Sequence, residues 1–164
     1  MSVQTTYGSV TPKGVAGGIV DMYYYQIDSR FNEEANGKLR CGVGVVAGTI
    51  PGSNIALPTT GKKAADFEGV VVNGSTNQHD LEGQVFVPNN ANVSIMRKGR
   101  IWVRVKKDAK PKYGDALHLI VEDADAGLFA TEGGEEIPGR FLGAADNGIA
   151  PVELYGDIPA SADP

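Results

Sequence analysis

The chain has 164 residues, a formal charge of −5, a single cysteine, 22 glycines and 9 prolines. That length suits one domain with a sizeable core, and the Gly and Pro content with only 7% aromatics favours many short strands over a helical bundle. The negative charge argues against direct nucleic-acid binding. No apolar run is long enough to span a bilayer, and the lone Cys41 leaves no disulfide within the chain, as suits synthesis in a reducing cytoplasm.

Residues 1–18 are rich in Thr, Ser, Gly and Pro and show neither strand alternation nor helical spacing. The opening MSVQTTYGSV lacks the charged n-region and apolar h-region of a secretory signal. Two readings stay open: a disordered tail, or an extended N-terminal arm on a neighbouring subunit, anchored by Val3, Tyr7, Val10 and Val15. A β-domain is expected over 19–156 and a polar C-terminal tail over 157–164.

Ile19–Ile27 (IVDMYYYQI) reads as a strand. Tyr23, Tyr24 and Tyr25 either close one end of the core or present an exposed pair of the kind found at interfaces. After a polar stretch with an Asn36-Gly37 turn, Leu39–Ile50 (LRCGVGVVAGTI) puts Cys41, Val43, Val45 and Ala47 on one face. Gly42 and Gly44 lie on the other, where they admit a close backbone or a bulky ring. This is not a dinucleotide fingerprint, because Gly48-Thr49-Ile50-Pro51 breaks the chain where the helix would start. Thr59 or Thr60 is placed to cap one short helical turn through Lys63–Asp66. Strands are expected at Phe67–Val72 and Gln84–Val87.

The most regular stretch is Ile95–Thr131. Ile101, Val103 and Val105 alternate with Arg100, Trp102, Arg104 and Lys106, which is the period of a strand with one buried face. A turn-rich Lys107–Gly114 loop, a strand with Leu117, Leu119 and Val121 inward, and Leu128–Thr131 complete a predicted β-meander. Gly133-Gly134 and Pro138-Gly139 are expected as hairpin connections. Phe141–Ala145 and Val152–Tyr155 are the expected closing strands, joined at Asn147-Gly148. The fold class is therefore all-β: a single β-barrel or β-sandwich with an extended N-terminal arm and at most one short helical turn.

Catalytic or metal chemistry has little support. His79 and His118 are isolated, and no Cys/His cluster has zinc-ligand spacing. The Gly-x-Ser-x-Gly cue is absent. Asp123, Asp125 and Gly127 lack the later ligands and flanking helices of a calcium loop. No cofactor is expected. One charge feature does emerge: Arg97, Lys98, Arg100, Arg104, Lys106, Lys107, Lys110 and Lys112 crowd one predicted hairpin, with Trp102 on the same strand face as Arg100, Arg104 and Lys106. This is either a solvated strand face or a basic interface for an acidic partner. The candidate interface residues are Tyr7, Tyr23, Tyr24, Arg97, Arg100, Trp102, Arg104 and Lys106.

Several segments, taken together, resemble a known family: VQTTYG, CGVGVVAG, FEGVVV, RKGRIWVRV, GDALHLI, GLFAT and GRFLGAAD followed by IAPVEL, spanning about Val3 to Tyr155. The pattern is similar to that of the capsid cement, or decoration, proteins of tailed bacteriophages. The resemblance implies homotrimers on the outer surface of the virion, binding the major capsid protein and bridging its subunits against the pressure of packaged DNA. It implies no enzymatic activity, no membrane and no direct nucleic-acid contact. The alternatives are a virion-surface carbohydrate-binding module stacking sugars on Trp102 and the tyrosines, and an enzyme of unrecognised type.

Overall fold

The computed structural model describes residues 13–74 and 77–156. In chain order the strands are β1 (Gln26–Asn32), β2 (Gly44–Ala47), β3 (Asn54–Ala56), β4 (Phe67–Val71), β5 (Gln78–His79), β6 (Val85–Phe86), β7 (Asn92–Arg104), β8 (Ala116–Leu119), β9 (Phe129–Ala130), β10 (Glu135–Phe141) and β11 (Ile149–Leu154). Single 3-10 turns occur at Ala64–Asp66 and Asp123–Asp125. No helix among the described residues is long and apolar enough to cross a membrane. The all-β expectation holds, and the sheet is a barrel.

The thirteen-residue β7 organises both halves. Its first part pairs with β1 and β4, and its second part with β11. The order β1-β3-β2-β4-β7, with β1 returning to β7, closes one ring. The order β7-β11-β10-β8-β9 forms the other half, which returns to the end of β7 through a Val105–Phe129 bridge and the Lys106 N–H donating to the Phe129 carbonyl at 2.8 Å. Each half has its own core. Val43, Val45, Ile55, Val71, Val93 and Ile95 fill the first. Ile101, Val103, Leu117, Leu119, Phe129 and Phe141 are among those filling the second.

The strands between the cores are buried on both faces. Val45 and Val46, Val71 and Val70, and Ile95 and Met96 each split between the two clusters. A strand covered on both sides has no polar face to display, which is why GVGVVAG and FEGVVV read as near-continuous apolar runs. Gly44 fits this arrangement: a Cβ there would lie 2.5 Å from Leu119 Cδ1 and 2.9 Å from Phe129 Cζ. Gly42 meets the N-terminal segment and β7 instead: a Cβ there would lie 2.9 Å from the Gly17 nitrogen, 3.0 Å from Ala16 Cβ and 3.2 Å from the Trp102 carbonyl. On β7 the crossing from one core to the other passes Gly99, whose φ of 128° suits glycine.

The meander is the main correction. β8 and β9 do pair, but β11 and β10 lie between β7 and β8. Ile149 to Leu154 run alongside Arg104 to Gly99 and take the edge that β8 was expected to fill. The Lys107–Gly114 loop instead carries the chain past these strands, with the Gly114 N–H donating to the Phe141 carbonyl at 2.8 Å. Alternation reports which face is buried, whereas partner choice depends on the rest of the chain.

Smaller corrections follow the same logic. Pro138-Gly139 is a bulge inside β10, where the register against β8 jumps between Ile137 and Arg140. Gly133-Gly134 joins β9 to β10 across the end of β8, so it is not a hairpin turn. β10 ends at Phe141, where a closing strand was expected to begin. Lys63, not a threonine, stands at the N-cap of the first 3-10 turn, its N–H donating to the Asp66 carboxylate at 2.9 Å. Asn147-Gly148 does turn the chain between β10 and β11. Both residues have positive φ, 52° and 76°, as a two-residue type I′ connection requires.

Because Gly44 faces Leu119 and Phe129 without room for a side chain, Gly44→Val should destabilise the fold by about 1–3 kcal/mol. Urea unfolding followed by circular dichroism would measure this, and an unchanged midpoint would show that the two cores yield at this point.

Candidate functional site

The expected strand over Ile19–Ile27 forms only from Gln26 onward. The residues before it lie along β7. The Gly17 N–H donates to the Trp102 carbonyl at 2.8 Å, the Trp102 N–H to the Gly18 carbonyl at 2.9 Å, and the Val20 N–H to the Arg100 carbonyl at 3.0 Å. Lys13 forms an ion pair with Asp146. Residues 17–20 thus continue the sheet along the free edge of β7.

This placement gathers several of the expected interface residues. The Arg100 guanidinium lies 4.1 Å from the Tyr23 ring centroid, and the Lys98 ammonium 5.3 Å from that of Tyr24. All three tyrosines are exposed, so the alternative in which they close the core is corrected. Met22 and Tyr24, at 87% and 76% exposure, stand furthest out. Tyr7 lies outside the described residues.

The basic residues of β7 prove to be engaged within the molecule. Arg97 pairs with Asp28 at 3.5 Å. Arg100 pairs with Asp21 at 2.9 Å and with Glu153 at 3.6 Å, and Glu153 also accepts from Arg140 at 2.9 Å. Arg100, Glu153 and Arg140 are direct cross-strand neighbours on β7, β11 and β10, the geometry in which opposite charges stabilise a sheet. The Arg100 hydrogen bond holds the Asp21 carboxyl below its ordinary range, with a smaller contribution from the Tyr23 N–H. Trp102 is half-buried, and Gly14 passes so close that a Cβ there would collide with the indole.

Arg104 and Lys106 point to different surroundings. Arg104 donates through Nε to the Cys41 carbonyl at 2.8 Å. Burial lowers its pKa, and the neighbouring Arg40 charge lowers it further. Lys106 lines a cleft of about 360 Å³ with Glu122, Asp125, Glu132 and Glu135. Cys41 is buried, and burial pushes its thiol pKa up. Among the described residues no group of His, Cys, Asp and Glu converges as a metal site. His118 contacts the Gly133 carbonyl through Nδ1 at 2.9 Å.

Sequence reasoning missed Asp21, Glu153 and Arg140, which organise the charge network, and Arg40 beside Arg104. Glu153 carried one signal, a charge in the otherwise apolar run IAPVEL. Nothing local marked the others.

Residues 3–155 match the family described as "Structural cement protein (E217 gp24/Pam3 gp6)". The chain belongs to the structural cement protein family of bacteriophages. Among solved structures, a chain from "The capsid of Myoviridae Phage XM1" superposes with a TM-score of 0.65 at 14% identity, over 94% of this cement protein and 98% of that chain. At that identity the likeness shows a shared fold. No curated protein sequence gives a significant match. The cement protein's role is structural: it is virion-associated, associates with capsid proteins and stabilises the capsid.

Two measurements check the site. Trp102 is the chain's only tryptophan, so Gly14→Val should displace the covering segment and red-shift the emission; an unchanged spectrum would mean that the indole is covered by something else. The depressed Asp21 pKa means that its link to Arg100 is fully present above about pH 4 and is lost as the pH falls through the lower folded value. In Arg100→Gln, the Asp21 carboxyl should titrate at higher pH by NMR, back in the ordinary aspartate range.

Proposed function

We propose that the cement protein sits on the outer surface of the phage head as a homotrimer and bridges neighbouring major capsid protein subunits, without enzymatic chemistry of its own. The observation that carries this reading is the exposed Met22–Tyr25 segment braced on Lys98 and Arg100. Aromatic, Met and Arg side chains are the types enriched at interface cores. Here Tyr23 is held against a guanidinium that is itself tied to Asp21 and Glu153, so docking it would order few additional groups.

A rigid body suits the task. Two barrel halves closed around a shared strand leave few open edges and transmit load without unfolding. The reach across subunit joints is assigned to the arm of residues 1–18. Because Gly14, Gly17, Gly18 and Val20 lie against β7, this reading gives the reach to the residues before Lys13, which lie outside the described part.

The carbohydrate alternative loses ground on two details. Trp102 lies under Gly14, and Tyr23 already gives one ring face to Arg100.

A ligand that binds only the assembled shell stabilises that shell by mass action, and many copies multiply a modest local affinity. DNA-filled heads carrying the cement protein should therefore release DNA at a higher temperature than heads without it. Tyr23→Ala with Tyr24→Ala should lower occupancy by about tenfold or more while leaving the domain folded. Identical DNA-release curves at full occupancy would refute the bridging role, and unchanged occupancy of the double variant would move the contact to another face.

A further inference from the structure

The chain has six arginines. Arg30, Arg97, Arg100 and Arg140 each pair with a carboxylate. Among the described residues Arg40 and Arg104 have no carboxylate partner, and these two line the same cleft, of about 590 Å³, together with Lys38. Arg40 reaches the Gln84 amide oxygen at 3.2 Å, and Arg104 the Cys41 carbonyl. Asp123 is the single carboxylate among the residues lining the cleft. Its apolar part is formed by Val43, Leu57 and Leu128. The molecule has thus neutralised its other arginines and left two side by side, both half-buried, on a chain of net charge −5.

We propose that this cleft is a docking site for an acidic segment of the capsid shell protein, an Asp or Glu side chain entering between Arg40 and Arg104 with its backbone over Val43, Leu57 and Leu128. Guanidinium groups recognise carboxylates through paired N–H donors, and the apolar floor suits a polypeptide better than a free anion. Duplex DNA is disfavoured by the overall charge and by Asp123 at the cleft. A second copy is disfavoured by geometry: Asp123 also borders the acidic cleft of Glu122, Asp125 and Glu132, so symmetric pairing there brings like charges together. The inference rests on the proposed attachment to the capsid and names a surface for it distinct from the tyrosine segment.

The test uses full-length protein and purified heads lacking it. Treating the complex with a carbodiimide, which couples amines to adjacent carboxylates, should join Lys38 to an Asp or Glu of the shell protein, read by mass spectrometry. Lys38→Glu with Arg40→Glu should weaken head binding by about tenfold or more and flatten its salt dependence. Lys62→Glu with Lys63→Glu, the same change in net charge elsewhere, should not. If wild-type protein fails to bind heads at all, the capsid reading falls and this inference with it. If wild type binds but the cleft variant binds equally well, or the control loses as much, the cleft inference alone is overturned. Lys38 crosslinks confined to a second copy of this chain, or loss of duplex-DNA binding with head binding intact, would overturn it in favour of those partners. The crosslink on unsubstituted protein decides the matter even where Arg40→Glu disturbs the fold.

Discussion

One strand serving two cores is the constraint from which the rest of this cement protein follows. On β7, Val93 and Ile95 pack into the first cluster and Ile101 and Val103 into the second. A strand shared in this way makes the two halves mechanically one, because neither ring closes without it. It also explains the local composition. β2 and β4 have apolar neighbours on both faces, so they need valine at consecutive positions and glycine where Phe129 presses in.

The second half of β7 faces a different requirement. Its outward side carries Lys98, Arg100, Trp102 and Arg104, all half-buried. A cation in that position needs a partner or becomes costly. The molecule supplies Glu153 from β11 and Asp21 from the N-terminal segment for Arg100, and a tyrosine ring for each of Arg100 and Lys98. The covering segment is therefore held by charge, ring stacking and main-chain hydrogen bonds together. Single exposed ion pairs contribute little; this one gains from its network with Glu153 and Arg140. The same need for neutralisation makes Arg40 and Arg104 conspicuous.

Family membership and architecture point the same way. A structural cement protein serves as part of the capsid, and a barrel whose halves share a strand is suited to that. The exposed Met22–Tyr25 segment lies against β7 through the Lys98 and Arg100 contacts.

Much of this was legible in the residues themselves. Alternation at Ile101, Val103 and Val105 reports a buried face directly, the Asn147-Gly148 pair specifies its turn by backbone conformation, and Gly42 and Gly44 announced close neighbours. The family resemblance was likewise present in the segments between Val3 and Tyr155. Strand order was not legible, because pairing between β7 and β11 joins residues about fifty positions apart, and no local pattern distinguishes that partner from β8. The fate of the basic residues was hidden for the same reason: Arg100 looks identical in sequence whether it faces water or Glu153. Hydrophobic period and turn chemistry are local properties and belong to the sequence. Which strands meet, and which charges find partners, was decided only when the chain closed on itself, since both depend on contacts between distant residues.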